Sequence, residues 1–97
     1  MLAATYLMTT RGIPLVYYGD EVALAGAGDP DNRRDFPGGW AGDKHNAFTN
    51  EGRTKEERDV FDHLRRVIEL RRRLAPLRRG KLLTLAVNDT SLSLIHI

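Results

Sequence analysis

The chain contains no cysteine. A disulfide framework and a thiolate metal site are therefore excluded, and the redox compartment is left unmarked. No apolar run approaches the ~20 residues needed to cross a bilayer. An excess of charge of one sign is also missing, since 15 Lys and Arg stand against 13 Asp and Glu for a net charge of +2. Aromatic residues are only 7% of the chain. Even so, Phe36, Trp40 and Phe48 all fall in the most polar, glycine-rich tract, which argues against a disordered tail there. With 97 residues the chain has material for one small domain with a marginal core. It shows no internal repeat and no low-complexity segment.

What is present reads as alternating elements. Leu2, Ala3, Tyr6 and Leu7 recur at helical spacing, and Gly12 is a stop signal. Residues 2–8 lack the basic start and long apolar run of a signal peptide. Ile13, Leu15, Val16, Tyr17 and Tyr18 form a β-prone run bounded by Gly12-Pro14 and Gly19-Asp20, which predicts a buried strand with Tyr17 and Tyr18 on opposite faces. Residues 19–53 hold seven of the nine glycines and read as a long loop with a helical turn near Glu21–Leu24. Loops of this length in compact domains are usually functional or disordered. Thr54-Lys55-Glu56-Glu57 has the form of a capping box. Val60, Phe61, Leu64, Val67, Ile68 and Leu74 then give one apolar helix face, with Asp62 to Arg66 and Glu69 to Arg73 spaced for pairing on the other. Pro76 ends that helix and opens a connector to Gly80. Lys81–Val87 predicts a strand with a turn at Asn88-Asp89 and no partner strand within the chain.

The run Gly12-Ile13-Pro14-Leu15-Val16-Tyr17-Tyr18-Gly19-Asp20-Glu21 resembles the last barrel strand of the α-amylase family of glycoside hydrolases, where the pattern is Gly-x-Pro-x-x-Tyr-Tyr-Gly-x-Glu. The segment Gly28-Asp29-Pro30-Asp31-Asn32-Arg33-Arg34-Asp35-Phe36-Pro37-Gly38-Gly39-Trp40 is similar to the loop that follows in cyclomaltodextrinases and neopullulanases. Two motifs in the right order and spacing make the resemblance specific, and it extends through the helix to Leu74. It implies an α/β fold, the C-terminal part of a (β/α)8 TIM barrel: a helix, the last strand, a long βα loop and the last helix over residues 1–79. Residues 80–91 would then begin a following β-sandwich domain. A complete barrel takes about 250 residues, so the resemblance implies a fragment, one that folds poorly by itself.

The implied activity is retaining hydrolysis of α-glucosidic bonds in maltodextrins, cyclodextrins or starch. That chemistry needs a nucleophilic carboxylate and a carboxylic acid about 5 Å apart. By resemblance these groups, with a third essential carboxylate, come from the fourth, fifth and seventh strands, which precede Met1. No catalytic residue is expected here, and the fragment alone is expected to be inactive. The loop should instead bind sugar on the non-reducing side of the cleavage point, through Asp29 and Arg33. A carboxylate accepts from adjacent hydroxyls, a guanidinium offers a fixed fork of donors, and Pro30 restrains the backbone between them. The alternative is that Asp29 and Arg33 merely pair with each other to close the turn. Asp31 and Arg34 read as solvated or structural. Trp40 is a candidate for stacking on a pyranose face or for anchoring the loop; Phe36 and Phe48 suit the anchor role. Gly12, Pro14, Tyr18 and Glu21 are expected to support the site, Glu21 by holding loop backbone or an arginine. His45 has no second ligand at a metal spacing and reads as a loop residue. No cofactor or metal is expected in these residues, and calcium is left open for the parent enzyme.

Two rival functions remain in view. Arg65, Arg66, Arg71, Arg72, Arg73, Arg78, Arg79 and Lys81 crowd the C-terminal third and suggest a small nucleic-acid-binding module. Asp59, Asp62 and Glu69 interrupt that face, and no binding motif accompanies it. A noncatalytic barrel relative is the other rival. The expected partner is an α-glucan oligosaccharide, with neither nucleic acid nor membrane. Leu92-Ser93-Leu94-Ile95-His96-Ile97 matches the translation of a DNA-library adapter and is read as an artefact over residues 92–97. The alternative is a genuine strand ending.

Overall fold

The computed structural model describes residues 1–88 and 91–96, with side chains described over residues 1–88. Two compact units result: one from Met1–Pro14 and the chain from Arg65 onward, the other from Leu15–Leu64.

In the first unit, α1 spans Leu2–Thr9 and is built from strong helix formers, Leu, Ala and Met. Its end is held from a distance. Arg71 donates from Nη1 to the carbonyls of Met8 (2.8 Å) and Thr10 (3.0 Å), and from Nη2 to that of Gly12 (2.7 Å). The last carbonyls of a helix have no intrahelical partner and carry the negative end of the dipole, so a guanidinium fork there meets both needs. Gly12, with φ at +100°, turns the chain away in a conformation that disfavours a β-carbon.

The second helix, α2, covers Lys55–Arg73. Its capping box is formed as the sequence predicts: Glu57 N–H donates to Thr54 Oγ1 at 3.2 Å, and Thr54 N–H to Glu57 Oε2 at 2.8 Å. Leu64 and Val67 are buried on its apolar face. On the polar face Glu69 grips Arg72, not Arg73, with bonds of 2.9 and 3.0 Å, and Lys55 pairs with Asp59. Helix α2 cannot run through Pro76, whose ring would collide with the carbonyl four residues back. The expected connector is instead a five-residue helix, α3, over Ala75–Arg79. Proline is well suited to its first turn, where no N–H is required.

Strand β1, Leu82–Asn88, pairs antiparallel with β2, Ser91–His96, from Leu82 opposite His96 to Asn88 opposite Ser91, with an irregularity between Thr84 and Ala86. This corrects the expectation that β1 has no partner in the chain. The alternation of Ser and Leu in β2 is what a strand needs. Asp89, in the expected turn, and Ile97 lie outside the described residues.

The predicted strand at Ile13–Tyr18 is not formed. The run is irregular up to Tyr17 and turns at Tyr18 and Gly19. It is also not buried: Ile13 is 99% and Leu15 73% exposed. A strand exists only as one side of a ladder, and among the described residues β1 and β2 are the only paired strands. Local bonds take over at its end, where Tyr17 N–H donates to Asp20 Oδ2 (3.0 Å) and Asp20 N–H to the Tyr17 carbonyl (3.1 Å). Tyr17 and Tyr18 consequently do not lie on opposite faces, and their rings sit 4.7 Å apart.

Candidate functional site

All the sequence-predicted sugar-binding residues lie in the Leu15–Leu64 unit, on two consecutive closed turns. The first is Gly28–Arg34. A 3₁₀ turn over Asp31–Arg33 is closed by Asp31 N–H to the Gly28 carbonyl (2.9 Å) and Arg33 N–H to the Pro30 carbonyl (3.0 Å). The Asp29–Pro30 peptide is cis. Arg33 Nη2 lies 2.9 Å from Asp29 Oδ1, and the two side chains are 66% and 63% exposed. The structure therefore brings Asp29 and Arg33 together as a solvent-facing ion pair, the mutual pairing that the alternative to sugar binding expects.

Behind this pair the turn is braced by its other two charges. Arg34 forms a bidentate fork on Asp31, with bonds of 2.8 and 2.7 Å, and Asp31 also accepts from Ala27 N–H at 2.9 Å. The Arg34 guanidinium, and after it the Ala27 amide, hold the Asp31 carboxyl below its ordinary range. Tyr18 Oη donates to the Arg34 carbonyl at 3.0 Å. Glu21 Oε2 accepts from Gly19 N–H at 2.8 Å, a bond to loop backbone. Tyr17, Tyr18, Asp20, Leu24, Asn32 and Arg34 border a cavity of about 250 Å³. Asp29, Arg33 and Trp40 are not among its walls.

The second turn runs from Pro37 to Ala47, and the Ala47 N–H to Pro37 carbonyl bond (2.8 Å) closes its ends. Ala47 is buried, and Phe36 meets Phe48 with ring centroids 4.5 Å apart and planes tilted by 43°. Phe48 is still 61% exposed, and Trp40 is 82% exposed. Its backbone is nonetheless fixed, because Trp40 N–H donates to Asp43 Oδ2 (2.9 Å) and Asp43 N–H returns to the Trp40 carbonyl (3.2 Å).

A clasp that the sequence did not reveal joins this turn to the start of α2. His45 Nε2 lies 2.9 Å from Glu57 Oε2, and Arg53 donates to the carbonyls of Ala47 (2.8 Å) and Phe48 (3.3 Å) while its guanidinium lies 3.7 Å over the Phe61 ring. Partial burial pushes the Glu57 carboxyl up, but the Thr54 amide, His45 and Arg53 outweigh it, and the net shift is downward. Glu57 was legible as a capping residue. Its second partner lies twelve residues away, beyond any local pattern. Among the described residues no group of three or more His, Asp or Glu is placed to hold a metal ion, and no helix is long and apolar enough to cross a membrane.

No protein-family model matches the chain. Known proteins do match it. Neopullulanase 2 of Thermoactinomyces vulgaris is 43% identical over 79 residues, 81% of this chain and 11% of that protein. A cyclomaltodextrinase of Geobacillus thermopakistaniensis is 30% identical over 91 residues, 94% of this chain and 13% of that protein. An amylopullulanase of Thermoanaerobacter thermohydrosulfuricus is 36% identical over 87 residues, 90% of this chain and 5% of that protein. The chain thus spans about an eighth or less of the length of these relatives.

Proposed function

Since the chain belongs to the α-amylase family of glycoside hydrolases, we propose that it supplies the donor-side sugar-binding loop of an enzyme that cleaves α-glucosidic bonds with retention. The observation that supports this reading is the solvent exposure of Asp29 and Arg33, whose pairing with each other is what the rival reading also expects. Both side chains project into solvent, while Asp31 and Arg34, the charges that brace the turn, are tied to each other and to backbone. An exposed ion pair costs little to open. Its carboxylate can then accept from adjacent sugar hydroxyls while the guanidinium donates to others.

The catalytic carboxylates belong, on this reading, to other segments of the parent enzyme, so residues 1–97 bind and do not cleave. Residues 1–79 form the C-terminal piece of a (β/α)8 barrel, and residues 80–91 begin the β domain after it. The bare side chains of Ile13 and Leu15 support that placement, because a barrel would bury them and give their backbone the ladder it lacks here. Maltodextrins, cyclodextrins and related α-glucans are the proposed substrates. The basic stretch of α2 is read as a solvated helix face, with Glu69 chelating Arg72 within it. In the full-length enzyme, Arg33→Gln should raise KM for maltoheptaose roughly 10- to 100-fold, as expected for losing hydrogen bonds from a charged group. Arg33→Lys should recover only part, because a point charge does not replace the fork. An unchanged KM in both variants would remove Arg33 from the sugar site.

A further inference from the structure

The Gly28–Arg34 turn carries Asp29, Asp31, Arg33 and Arg34, charges that could pair in more than one way. The fold sorts them. Arg33 meets Asp29 at 2.9 Å, while Arg34 sets Nε and Nη2 on the two oxygens of Asp31 at 2.8 and 2.7 Å. A bidentate fork adds geometric specificity to its strength, so Arg34 is committed to Asp31 and withheld from Asp29.

Backbone fixes that choice. Asp31 Oδ2 also accepts from Ala27 N–H at 2.9 Å, so one carboxylate fastens the chain entering the turn to the arginine that leaves it. The entering chain lies close by: a β-carbon on Gly26 would stand 3.1 Å from Asn32 Cα and 3.2 Å from the Asp31 carbonyl oxygen. From outside the turn, Tyr18 Oη donates to the Arg34 carbonyl at 3.0 Å. Asp29 and Arg33 sit on the stretch between these fastenings. The forked side chains of Arg34 and Asp31 stay 51% and 40% exposed, and ion pairs so accessible add little to global stability. Their effect is local. A turn fastened at both ends presents its remaining charges in one arrangement, and a ligand then meets groups whose ordering cost has already been met. Without the Asp31 carboxylate, Arg34 is released beside Arg33 and competes with it for Asp29.

We infer that Asp31 and Arg34 are positioning residues of the sugar site, a fork that sorts the charges of the turn and leaves Asp29 and Arg33 set for sugar hydroxyls. The inference rests on the sugar-binding role of Asp29 and Arg33 proposed above. Its test is steady-state kinetics of the full-length enzyme on maltoheptaose, with melting temperatures, for Asp31→Asn, Arg34→Lys, Arg33→Gln and the double variant Asp31→Asn/Arg33→Gln. Asp31→Asn keeps the side chain's shape and removes its charge; KM should rise about tenfold, with kcat and melting temperature close to wild type. Arg34→Lys keeps the charge but not the fork, and KM should rise roughly three- to tenfold. Because Asp31 acts through its neighbours, the double variant should fall clearly short of the product of the two single effects. A double variant that equals that product, or a wild-type KM in Asp31→Asn, overturns the inference. So does a fall in melting temperature with kcat lowered, which makes the fork a stability element only. If Arg33→Gln raises KM while Asp31→Asn and Arg34→Lys do not, the sugar site stands and the positioning role falls. If Arg33→Gln leaves KM unchanged, the sugar site falls and takes the inference with it.

Discussion

Glu57 closes the capping box of α2 and holds His45, so its removal should loosen two elements at once. In Glu57→Ala the Thr54 amide and His45 Nε2 lose the oxygen they share, which lies 2.8 and 2.9 Å from them. Loss of an N-terminal cap interaction costs about 0.5–2 kcal/mol. His45 can turn to water, so its share is small, and about 1–2 kcal/mol is expected in all. Amide hydrogen exchange reads this locally and does not require the whole chain to unfold as one. Protection at Glu57 and Arg58 should fall roughly 5- to 30-fold, while that at Val67 and Ile68 is little changed. Thr54→Ala should produce a similar loss, and the double variant should fall short of the sum, because each bond depends on the same turn. Unchanged protection in Glu57→Ala would refute the reasoning. The pH dependence has a definite sign. The folded-state carboxyl lies below its ordinary 4.5, so this contribution is complete above about that pH and is lost as pH falls further. Glu57→Gln should flatten that acid limb.

Other perturbations bear on the rest of the molecule. Arg71→Met should uncap α1, costing about 2 kcal/mol, visible as lost protection in Thr9–Gly12; Arg71→Lys should repair it only in part, since an ammonium does not span the carbonyls of Met8, Thr10 and Gly12. Gly52→Ala should destabilise the Leu15–Leu64 unit in urea unfolding, because the new β-carbon would collide with the Asn46 carbonyl; a neutral result would contradict that packing. Fluorescence from the sole tryptophan should be red-shifted and readily quenched by acrylamide, as 82% exposure requires; a blue-shifted, protected emission would contradict the placement of Trp40.

Features encoded within a few residues were legible in advance. The capping box at Thr54, the apolar face through Leu64 and Val67, the helix before Gly12 and the strand after Lys81 all follow from local spacing and propensity, and all are present. Some failures are local, such as Glu69 pairing with Arg72 and the helix α3 in place of a connector, and others depend on pairing between segments. Ile13–Tyr18 has every propensity of a strand, but propensity does not supply a ladder. Leu82–Asn88 appeared unpartnered until Ser91–His96 folded back on it. The bonds of Arg71 cross about sixty residues, and nothing near position 71 marks it out from its basic neighbours. At the candidate site, the residue types at Asp29, Arg33 and Trp40 could be read from the motif. That the first two face water as a pair, and that Trp40 stands exposed on a hydrogen-bonded turn, depended on loop closure that periodicity does not encode.

The central claim is that this segment belongs to an α-glucan-cleaving enzyme whose catalytic carboxylates lie elsewhere in the protein. Sequencing the coding DNA outward from both ends of the segment tests it most directly. The account predicts an upstream reading frame that supplies an Asp, a Glu and a His-Asp pair at the carboxyl ends of the fourth, fifth and seventh barrel strands, and a different strand in place of Leu92 onward. A true start at Met1 with a stop after Ile97 would contradict it.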